Sequence, residues 1–359
     1  MAHSRPTHSG LASGATYRDA GVDIAAADAA KQEMARSLAD RDPRILNGIG
    51  PFATLIDGRF GDYQDPLLVM KTEEPGSKQK LAMDRGSYAS ICYDLVHHLI
   101  NDILVMGAQP IAVQDAIVCG RIDGEVVTAL VRALGEACRR QGCTLTGGET
   151  SEQPGVLDPG TYVMTASVLG VVERKHVVDG SHVSAGDTLV ALSSNGVHTN
   201  GISLIRRLLD ADPALAQRRV GDMSFIEAVL QPHRCYRDTI QSVLGTQALH
   251  AMAHITGGGV RNNLVRVLPQ GLQAHLDLSS FRIPPIFSAI RAAGTVADDE
   301  MFQVYNLGVG MVVALAAGSE LMLLDAARAA AVEAYPIGQI VDANPAVDAS
   351  VVTVGSLRW

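Results

Sequence analysis

The chain has little of several residue types, and each shortage excludes a class of protein. Its five cysteines are odd in number and form no Cys-x-x-Cys pair, so the sequence indicates neither a disulfide framework nor a zinc knuckle. It contains no run of about eighteen uncharged apolar residues, so no membrane-spanning helix is predicted. Basic residues form no dense block and the formal net charge is −9, which argues against a nucleic-acid partner. We therefore expect a cytoplasmic protein with reduced cysteines.

The rest of the composition indicates an α/β enzyme. The 359 residues are enough for about two domains, and 47% of them are hydrophobic. The 35 glycines, against only 4% aromatic residues, are typical of tight turns and ligand loops between closely packed elements. We predict a tail at residues 1–16, a first domain at 17–172 and a second domain at 173–359.

Helices and strands are predicted to alternate along the chain. Helical spacing of apolar residues or alanine-rich composition predicts helices at 25–38, 87–106, 124–141, 202–209, 225–230, 236–243 and 321–334. Short apolar or alternating runs between turn residues predict strands at 52–56, 67–70, 111–118, 162–172, 186–192 and 309–315. No convincing fixed-period repeat is present, so a solenoid is excluded.

One polar stretch, from Lys71 to Lys80, interrupts this alternation. It holds two carboxylates, a Pro-Gly turn, a hydroxyl and three amines between apolar runs. If it is a ligand loop, Gly76 lets the chain approach a phosphate, which Ser77 and Lys78 can face while Glu73 faces a cation. The alternative is a charged surface turn, which is the commoner outcome for an isolated segment of this composition.

A row of polar residues follows on the helix predicted at 87–106. Asp94, His98 and Asp102 are spaced at i, i+4 and i+8, which places them on one helical face. Such a row can bind a metal or carry out acid/base chemistry. A solvated polar stripe on an amphipathic helix is the commoner alternative, and the residues alone leave both open.

Two glycine-rich segments of the second domain add further candidates. The loop at 193–201 is rich in hydroxyls and amides and opens a helix, so its N–H groups form a ready site for phosphate. Farther along, three consecutive glycines lie just after His254, where the backbone can approach a ligand. A histidine in this position is either catalytic or a hydrogen-bonded core residue, and the second is commoner.

Six segments stand out along the chain: Asp19-Ala-Gly-Val-Asp-Ile24, Asn101-Asp102 with Gly107-Ala-Gln-Pro110, Gly147-Gly-Glu-Thr150, Gly196-Val-His-Thr-Asn-Gly201, His254-Ile-Thr-Gly-Gly-Gly259, and Glu300-Met301 with Asn306-Leu-Gly-Val-Gly310. In this order and spacing they resemble the phosphoribosylformylglycinamidine cyclo-ligases, also called aminoimidazole ribonucleotide (AIR) synthetases. The resemblance runs from about Tyr17 to the end of the chain. Related enzymes such as selenophosphate synthetase share mainly the acidic helix and the Gly-Ala-x-Pro element, so the last histidine motif indicates the cyclo-ligase branch.

The resemblance implies an α/β (α+β) fold of two domains. The N-terminal sheets would pair across a homodimer into a β-barrel, and the C-terminal domain would form an α/β sandwich. It also implies formylglycinamidine ribonucleotide (FGAM) as substrate, ATP and Mg²⁺ as cofactors, and K⁺ as an additional candidate cation. In the family reaction ATP phosphorylates the formyl-amide oxygen, and the amidine nitrogen then closes the imidazole ring with loss of phosphate.

The matching motifs also imply site residues. Carboxylates would hold Mg²⁺ against the polyphosphate, cations and N–H groups would neutralise the moving phosphoryl group, and a base would collect a proton. The catalytic candidates are His254, His198, Asp102 and Glu73, and the metal candidates are Asp102, Glu149 and Glu73. The candidates for nucleotide or substrate binding are Lys78, Ser77, Gly76, Asp19, Asp23, Asn101, Gly147, Gly148, Asn200, Gly257, Gly258 and Asn306.

Three differences from the family pattern bear on function. The loop from Thr72 to Lys78 reads Thr-Glu-Glu-Pro-Gly-Ser-Lys, where the family usually has Thr-Asp-Gly-Val-Gly-Thr-Lys. The family has a hydrophobic residue at the position of His98, which predicts that this histidine lies outside the site. It also has a lysine near the position of Met34. The alternatives to FGAM cyclisation are therefore ATP-driven activation of another amide or acid, and a catalytically silent nucleotide-binding dimer.

Overall fold

The computed structural model describes residues 42–48, 51–344 and 350–359 of the chain. Within these ranges the chain forms two α/β units, each built on its own mixed sheet. The helix predicted at 25–38 and the candidates Asp19 and Asp23 lie outside the described residues. In the part that is described, no helix combines the length and the apolar character needed to cross a membrane.

The first unit contains a four-stranded sheet. Its strands are β1 (Pro66–Glu73), β2 (Gln109–Cys119), β3 (Thr144–Glu152) and β4 (Tyr162–Glu173). The spatial order is β1-β4-β2-β3, with β4 antiparallel to both neighbours and β3 parallel to β2. Side chains of β1 alternate between exposed and half-buried positions, as expected for an edge strand with one covered face.

Three helices pack with this sheet, namely α1 (Lys78–Met83), α2 (Tyr88–Leu104) and α3 (Gly124–Arg140). The apolar residues on one face of α2, among them Leu95 and Leu99, are fully buried, in agreement with the helical period of the sequence. The chain turns away after α2 at Gly107, which has a left-handed φ of +82° and whose Cβ, if present, would lie 2.7 Å from the His176 carbonyl oxygen. Only glycine fits this position.

The second unit contains a six-stranded sheet. Its strands are β5 (Thr188–Ser193), β8 (Leu249–His254), β9 (Leu272–Asp277), β10 (Val309–Leu315), β11 (Ala334–Asp342) and β12 (Val351–Val354), and β6 (Arg219–Val220) pairs separately with β7 (Met223–Ser224). The order β12-β9-β11-β5-β10-β8 is antiparallel except for the β12–β9 pair. All seven residues of β10 are buried, because side chains cover both faces of this inner strand.

Helices cover both faces of the second sheet. They are α4 (Ile202–Ala211), α5 (Phe225–Val229), α6 (Arg237–Ile240), α7 (Gly259–Leu264), α8 (Pro285–Gly294), α9 (Asp298–Val304) and α10 (Glu320–Ala329). Successive residues of β5 point to opposite faces of the sheet and belong to different apolar clusters. Leu189 lies in a first cluster with Ile205 of α4, and Val190 lies in a second cluster with Leu323 of α10. The first cluster also contains Leu99 of α2, so the two units share one continuous core.

Most of the predicted elements are confirmed. The helices predicted at 87–106, 124–141 and 202–209 and the strands predicted at 111–118, 162–172 and 309–315 agree with the structure to within two residues at each end. The strand predicted at 52–56 is wrong, because only Ile56 forms a bridge, with Ile45. The helix predicted at 321–334 ends at Ala329, since Ala331 takes a left-handed φ of +54° and Ala334 begins β11.

The polar stretch from Lys71 to Lys80 is divided among three elements. Residues Lys71 to Glu73 continue β1 in register with β4, and Lys78 begins α1. Only residues 74–77 form a turn, in which Gly76 has a left-handed φ of +60°. The prediction that the whole stretch is a loop is therefore wrong.

Candidate active site

Polar side chains of α2 face the second unit. The irregular segment that precedes α6 runs along α2 and is held there by hydrogen bonds. Asn101 donates to the Arg234 carbonyl oxygen at 2.8 Å and accepts from the Tyr236 N–H at 3.0 Å. The carboxylate of Asp94 accepts from the His233 N–H at 2.7 Å. These bonds fix the second unit against the polar face of α2 and bury that face.

The polar row on α2 is therefore not a solvated stripe. Asp94 is fully buried, His98 is 7% exposed, and the side chain of Asp102 is 17% exposed. The row also divides in two, because Asp94 pairs with Lys78 whereas His98 and Asp102 face a shared cluster of side chains. The commoner sequence alternative is wrong here, because the second unit covers this face.

Asp102 and His254 form the centre of that cluster. Asp102 lies in the last turn of α2 and His254 is the last residue of β8, and the Asp102 Oδ1 is 2.7 Å from the His254 Nδ1. The His254 Nε2 is 2.9 Å from the Nε2 of the buried His233. The geometry allows the His254 Nδ1–H to donate to Asp102. One of the two Nε2 atoms then carries a proton and donates it to the other. Asp102 therefore orients the imidazole of His254.

Lys71, Glu73 and His98 surround the other oxygen of Asp102. The Lys71 Nζ is 2.6 Å from Glu73 Oε1 and 3.2 Å from Asp102 Oδ2. The His98 Nε2 is 3.6 Å from Asp102 Oδ2 and 3.8 Å from Glu73 Oε1, beyond hydrogen-bonding distance. His98, Asp102 and His254 offer ligand atoms that lie within 4.8 Å of one another. The prediction that His98 lies outside the site is wrong. We call these five residues the Asp102 cluster.

Burial and neighbouring charges shift the pKa values of the site groups in opposite directions. Burial opposes ionisation of Asp102, but the hydrogen bond with His254 and the surrounding positive charges outweigh burial and lower the pKa of this carboxyl well below its usual range. Burial, followed by the charge of His254, lowers the pKa of His98 to about 4. Burial also lowers the pKa values of His198 and His233 well below the ordinary value. At neutral pH the site thus combines an ionised carboxylate with three neutral imidazoles.

Lys78 lies apart from the Asp102 cluster, in a buried ion pair. Its Nζ is 3.0 Å from Asp94 Oδ1 and 2.8 Å from the Gln231 carbonyl oxygen, and both charged residues are fully buried. Burial raises the pKa of Asp94 and lowers that of Lys78, and the attraction between the two charges counteracts both shifts. The ammonium is therefore engaged within the protein, and the phosphate contact of Lys78 stays a prediction.

The loop that precedes α4 brings His198 and Asn200 towards His233. His198 has a left-handed φ of +56°, and its buried ring stacks on that of His233 with centroids 3.8 Å apart. Its Nε2 is 3.1 Å from Asn195 Oδ1. The Nδ1 of His198 and the Nδ2 of Asn200 are buried without a hydrogen-bond partner among the residues that the structure describes. Both nitrogens are available to a bound ligand.

Asn306 and two glycines shape the loops around this site. The buried amide of Asn306 accepts from a serine hydroxyl and a glycine N–H and donates to the Gly196 carbonyl oxygen, so it joins the loops before α4 and β10. Gly258 has a left-handed φ of +93° at the start of α7. A Cβ at Gly257 would lie 3.7 Å from the Asn200 Oδ1, which places the glycine triplet beside the loop of His198.

The turn before α1 faces the same loop. A Cβ at Gly76 would lie 4.0 Å from the Thr199 carbonyl oxygen. Ser77 precedes the first residue of α1 and makes no side-chain capping bond. The structure thus brings Gly76 and Ser77 to the edge of the site, and their nucleotide contacts stay predictions.

The remaining candidates lie on β3. Gly147 has a left-handed φ of +121°, and Gly148 packs so closely on β2 that a Cβ would lie 1.9 Å from the Asp115 carbonyl oxygen. Glu149 is exposed, and its Oε1 accepts from the Thr150 N–H. Glu149 is not among the residues whose ligand atoms lie within 4.8 Å of one another, and its metal contact stays a prediction.

Lys71, His98 and His233 lie at the site but were not predicted as site residues. Lys71 and Glu73 are two residues apart on one strand, so strand alternation puts their side chains on the same face, but treating the stretch as a loop concealed this signal. His98 shares a helical row with Asp102, which was visible in the sequence. His233 belongs to no recognised motif and reaches the site only through the tertiary fold.

Comparison with known proteins identifies the family to which this arrangement belongs. Residues 60–172 match the AIR synthase related protein, N-terminal domain, and residues 184–348 match the AIR synthase related protein, C-terminal domain. The chain is 38% identical over 334 residues to the phosphoribosylformylglycinamidine cyclo-ligase of Xanthomonas oryzae pv. oryzae (strain PXO99A), covering 92% of this chain and 97% of that protein. This chain belongs to the phosphoribosylformylglycinamidine cyclo-ligase family. The cyclo-ligase of Chromobacterium violaceum is 39% identical over 328 residues, covering 90% of this chain and 94% of that protein.

Solved structures share the fold of this cyclo-ligase family member. Thiamine-monophosphate kinase from Stenotrophomonas maltophilia K279a has a TM-score of 0.64 at 18% identity, covering 91% of this chain and 96% of that chain. HypE of E. coli has a TM-score of 0.66 at 16% identity, covering 92% of this chain and 94% of that chain. At these identities the likeness shows the fold alone. The predicted two-domain α/β fold is confirmed at that level.

Proposed function

We propose that this chain is a ligase of purine biosynthesis that converts FGAM to AIR while ATP is converted to ADP and phosphate. Two relatives that cover at least 90% of the chain carry the name of this activity. The observation that carries the proposal is the 2.7 Å contact between Asp102 and His254, because it joins the Asn-Asp and His-Ile-Thr-Gly-Gly-Gly motifs of the family in one site.

ATP is the proposed phosphoryl donor, and a HypE protein with a TM-score of 0.57 was solved in complex with ATP. Asp102 and Glu73 fit a Mg²⁺ ion, because their oxygens already converge on one positive charge, the ammonium of Lys71. Bound Mg²⁺ supplies neutralisation of the charge that develops on a transferring phosphoryl group. Glu149 is the proposed third carboxylate, and K⁺ an additional cation.

Phosphate and substrate contacts are assigned to the loops that surround the Asp102 cluster. The Nδ2 of Asn200 and the Nδ1 of His198 are two buried polar groups of these loops that have no partner among the described residues. The glycine triplet lies beside Asn200, where the backbone can approach a ligand closely. Gly76, Ser77 and Lys78 are assigned to the nucleotide, together with the other glycine and asparagine candidates named in the sequence analysis.

Proton transfer is assigned to the Asp102–His254 pair. Attack of the formyl-amide oxygen on the γ-phosphorus forms the activated amide and releases ADP. Attack of the amidine nitrogen on the activated carbon then closes the ring and expels phosphate, and the attacking nitrogen loses one proton. His254 can hold this proton as an imidazolium ion, because Asp102 lies 2.7 Å from its Nδ1 and carries the opposite charge.

The test is AIR formation by the purified protein with FGAM, ATP, Mg²⁺ and K⁺. We expect AIR and ADP in equal amounts from the wild type, and a loss of kcat/KM of about 100-fold or more in Asp102→Asn and in His254→Ala. Asp84→Asn is the matched control, because Asp84 is exposed and pairs with Lys80 on the surface at the end of α1. ADP formed without AIR, from another amide, would favour a different substrate. Nucleotide binding without turnover would favour the silent dimer.

We also propose a cytoplasmic homodimer, in which the first sheets of two subunits pair into a barrel and the second unit forms an α/β sandwich. The support is an apolar strip on the outer face of β1, where Leu68 is 58% and Met70 is 75% exposed, with Leu169 of β4 beside Met70. Replacing Leu68 and Met70 together by lysine should lower the mass measured by light scattering to that of a monomer. Leu321→Lys, at a similarly exposed position on α10, should leave the mass unchanged.

A further inference from the structure

We infer that His98, Asp102, His254 and Glu73 form a binding site for a divalent transition-metal ion of the Zn²⁺, Co²⁺ and Mn²⁺ class. The inference rests on the proposed function in that this site shares Asp102 and Glu73 with the proposed Mg²⁺ site. In addition to these two carboxylates, the site contains the imidazole nitrogens of His98 and His254. Imidazole suits zinc and the neighbouring transition metals, whereas Mg²⁺ takes oxygen ligands almost entirely.

The separations of the donor atoms fit an ion of this class. A tetrahedral ion with bonds of about 2.1 Å keeps its ligand atoms about 3.4 Å apart. The His98 Nε2 lies 3.6 Å from Asp102 Oδ2 and 3.8 Å from Glu73 Oε1. The His254 donor lies within the 4.8 Å that encloses the His98, Asp102 and His254 ligand atoms. The two separations from His98 Nε2 therefore exceed the tetrahedral value by only a few tenths of an ångström.

His98 provides an independent reason to place a ligand here. Its side chain is more than nine-tenths buried, and its Nδ1 has no hydrogen-bond partner in the described parts of the chain. The carboxylate oxygens that its Nε2 faces are too far away for a hydrogen bond. Nε2, and not the unpartnered Nδ1, is therefore the nitrogen of His98 that faces the carboxylate oxygens of Asp102 and Glu73. A metal bound at Nε2 uses the lone pair that points at the carboxylates.

Two neighbours of the four ligands are also placed for metal binding. When the His254 Nδ1 binds a metal, its Nε2–H can donate to the His233 Nε2 at 2.9 Å, the kind of outer contact that orients ligating histidines. Lys71 acts in the opposite sense, because its ammonium binds the carboxylates of Glu73 and Asp102 that the metal needs. Lys71 is therefore an internal competitor for the ion.

The experiment measures binding of Zn²⁺ by equilibrium dialysis and of Co²⁺ by visible absorption, without ATP or FGAM. We expect one ion per wild-type chain, with Co²⁺ bands that report nitrogen ligands. His98→Leu should weaken binding by about 10- to 100-fold or more, whereas Lys71→Met should strengthen it by removing the competing charge. His182→Leu is the matched control, because His182 is exposed and lies outside the cluster.

Two results would overturn the inference: wild-type affinity in His98→Leu with the same Co²⁺ spectrum, or no stoichiometric binding by the wild type and by Lys71→Met. Circular dichroism checks the fold of each variant, and His98→Gln replaces His98→Leu if the latter does not fold. Because binding is measured without substrates, failure of AIR formation together with stoichiometric Co²⁺ binding would refute only the proposed function. AIR formation without such binding would refute only the metal site.

Discussion

The buried pair of Lys78 and Asp94 gives a direct test of what Lys78 does. The sequence places Lys78 at a family position assigned to phosphate, whereas the structure encloses its ammonium with Asp94 and the Gln231 carbonyl. Lys78→Met removes the positive charge and keeps most of the side-chain volume. The substitution leaves the carboxylate of Asp94 fully buried, with the His233 N–H at 2.7 Å as its remaining partner.

The structure sets the size of the expected effect. At the observed 3.0 Å separation and an effective dielectric constant of about 20, the two charges attract by about 5 kcal/mol. Removing one partner of a buried pair costs about 3 to 5 kcal/mol, because the other charge stays buried and uncompensated. At about 2.1 cal/mol/K of unfolding entropy per residue, 359 residues give about 1.3 °C per kcal/mol, so the melting temperature of Lys78→Met should fall by about 4 to 7 °C.

A second substitution separates the structural role from phosphate binding. Lys78→Met with Asp94→Asn removes both charges and keeps an acceptor for the His233 N–H, so it should recover most of the lost stability. Lys80→Met is the control, since Lys80 pairs with Asp84 on the surface. Thermal unfolding and urea titrations measure the stability, and calorimetric titration measures ATP affinity. Normal stability of Lys78→Met together with lost ATP affinity would refute the structural reasoning.

Two further predictions concern the core of the first sheet. Burial raises the pKa of Asp115 from 3.8 to about 7, so the native state binds the proton more tightly than the unfolded chain and stability falls as the pH rises from about 4 to 7. Asp115→Asn should remove about 3 kcal/mol of the decline between pH 5 and pH 8, which urea unfolding at these two pH values measures; an unchanged difference would count against it. Gly148→Ala should cost about 1 to 3 kcal/mol because its Cβ would meet the Asp115 carbonyl oxygen, whereas Gly124→Ala meets nothing within 4 Å and is the control for the melting temperature.

The elements that the sequence predicted best are those whose pattern is set locally. The apolar spacing of α2 and the left-handed turn at Gly107 are both readable from neighbouring residues, and α2 lies within two residues of its predicted bounds. The bounds of β10 were also predicted from neighbouring residues, because its continuous apolar run begins and ends where the strand does. Local periodicity is enough here because tertiary packing agrees with it.

The errors have a common physical cause, which is contact between distant parts of the chain. Lys71 to Glu73 are strand residues because they pair with β4, about a hundred residues later, although their polarity is typical of a loop. The polar row on α2 is buried because the segment before α6 and the end of β8 cover it. Propensity and polarity describe the local chain and carry no information on such partners.

The separation of Asp102 from His254 also has a consequence for biosynthesis. The two residues are 152 positions apart, so at about 5 to 20 residues per second the ribosome needs about 8 to 30 s after Asp102 to make its partner. During this interval the face of α2 that the second unit will cover is open to water. Had that face been apolar, it would be an aggregation surface on the nascent chain. Its carboxylates and histidines keep the early half of the protein hydrated until the later half arrives.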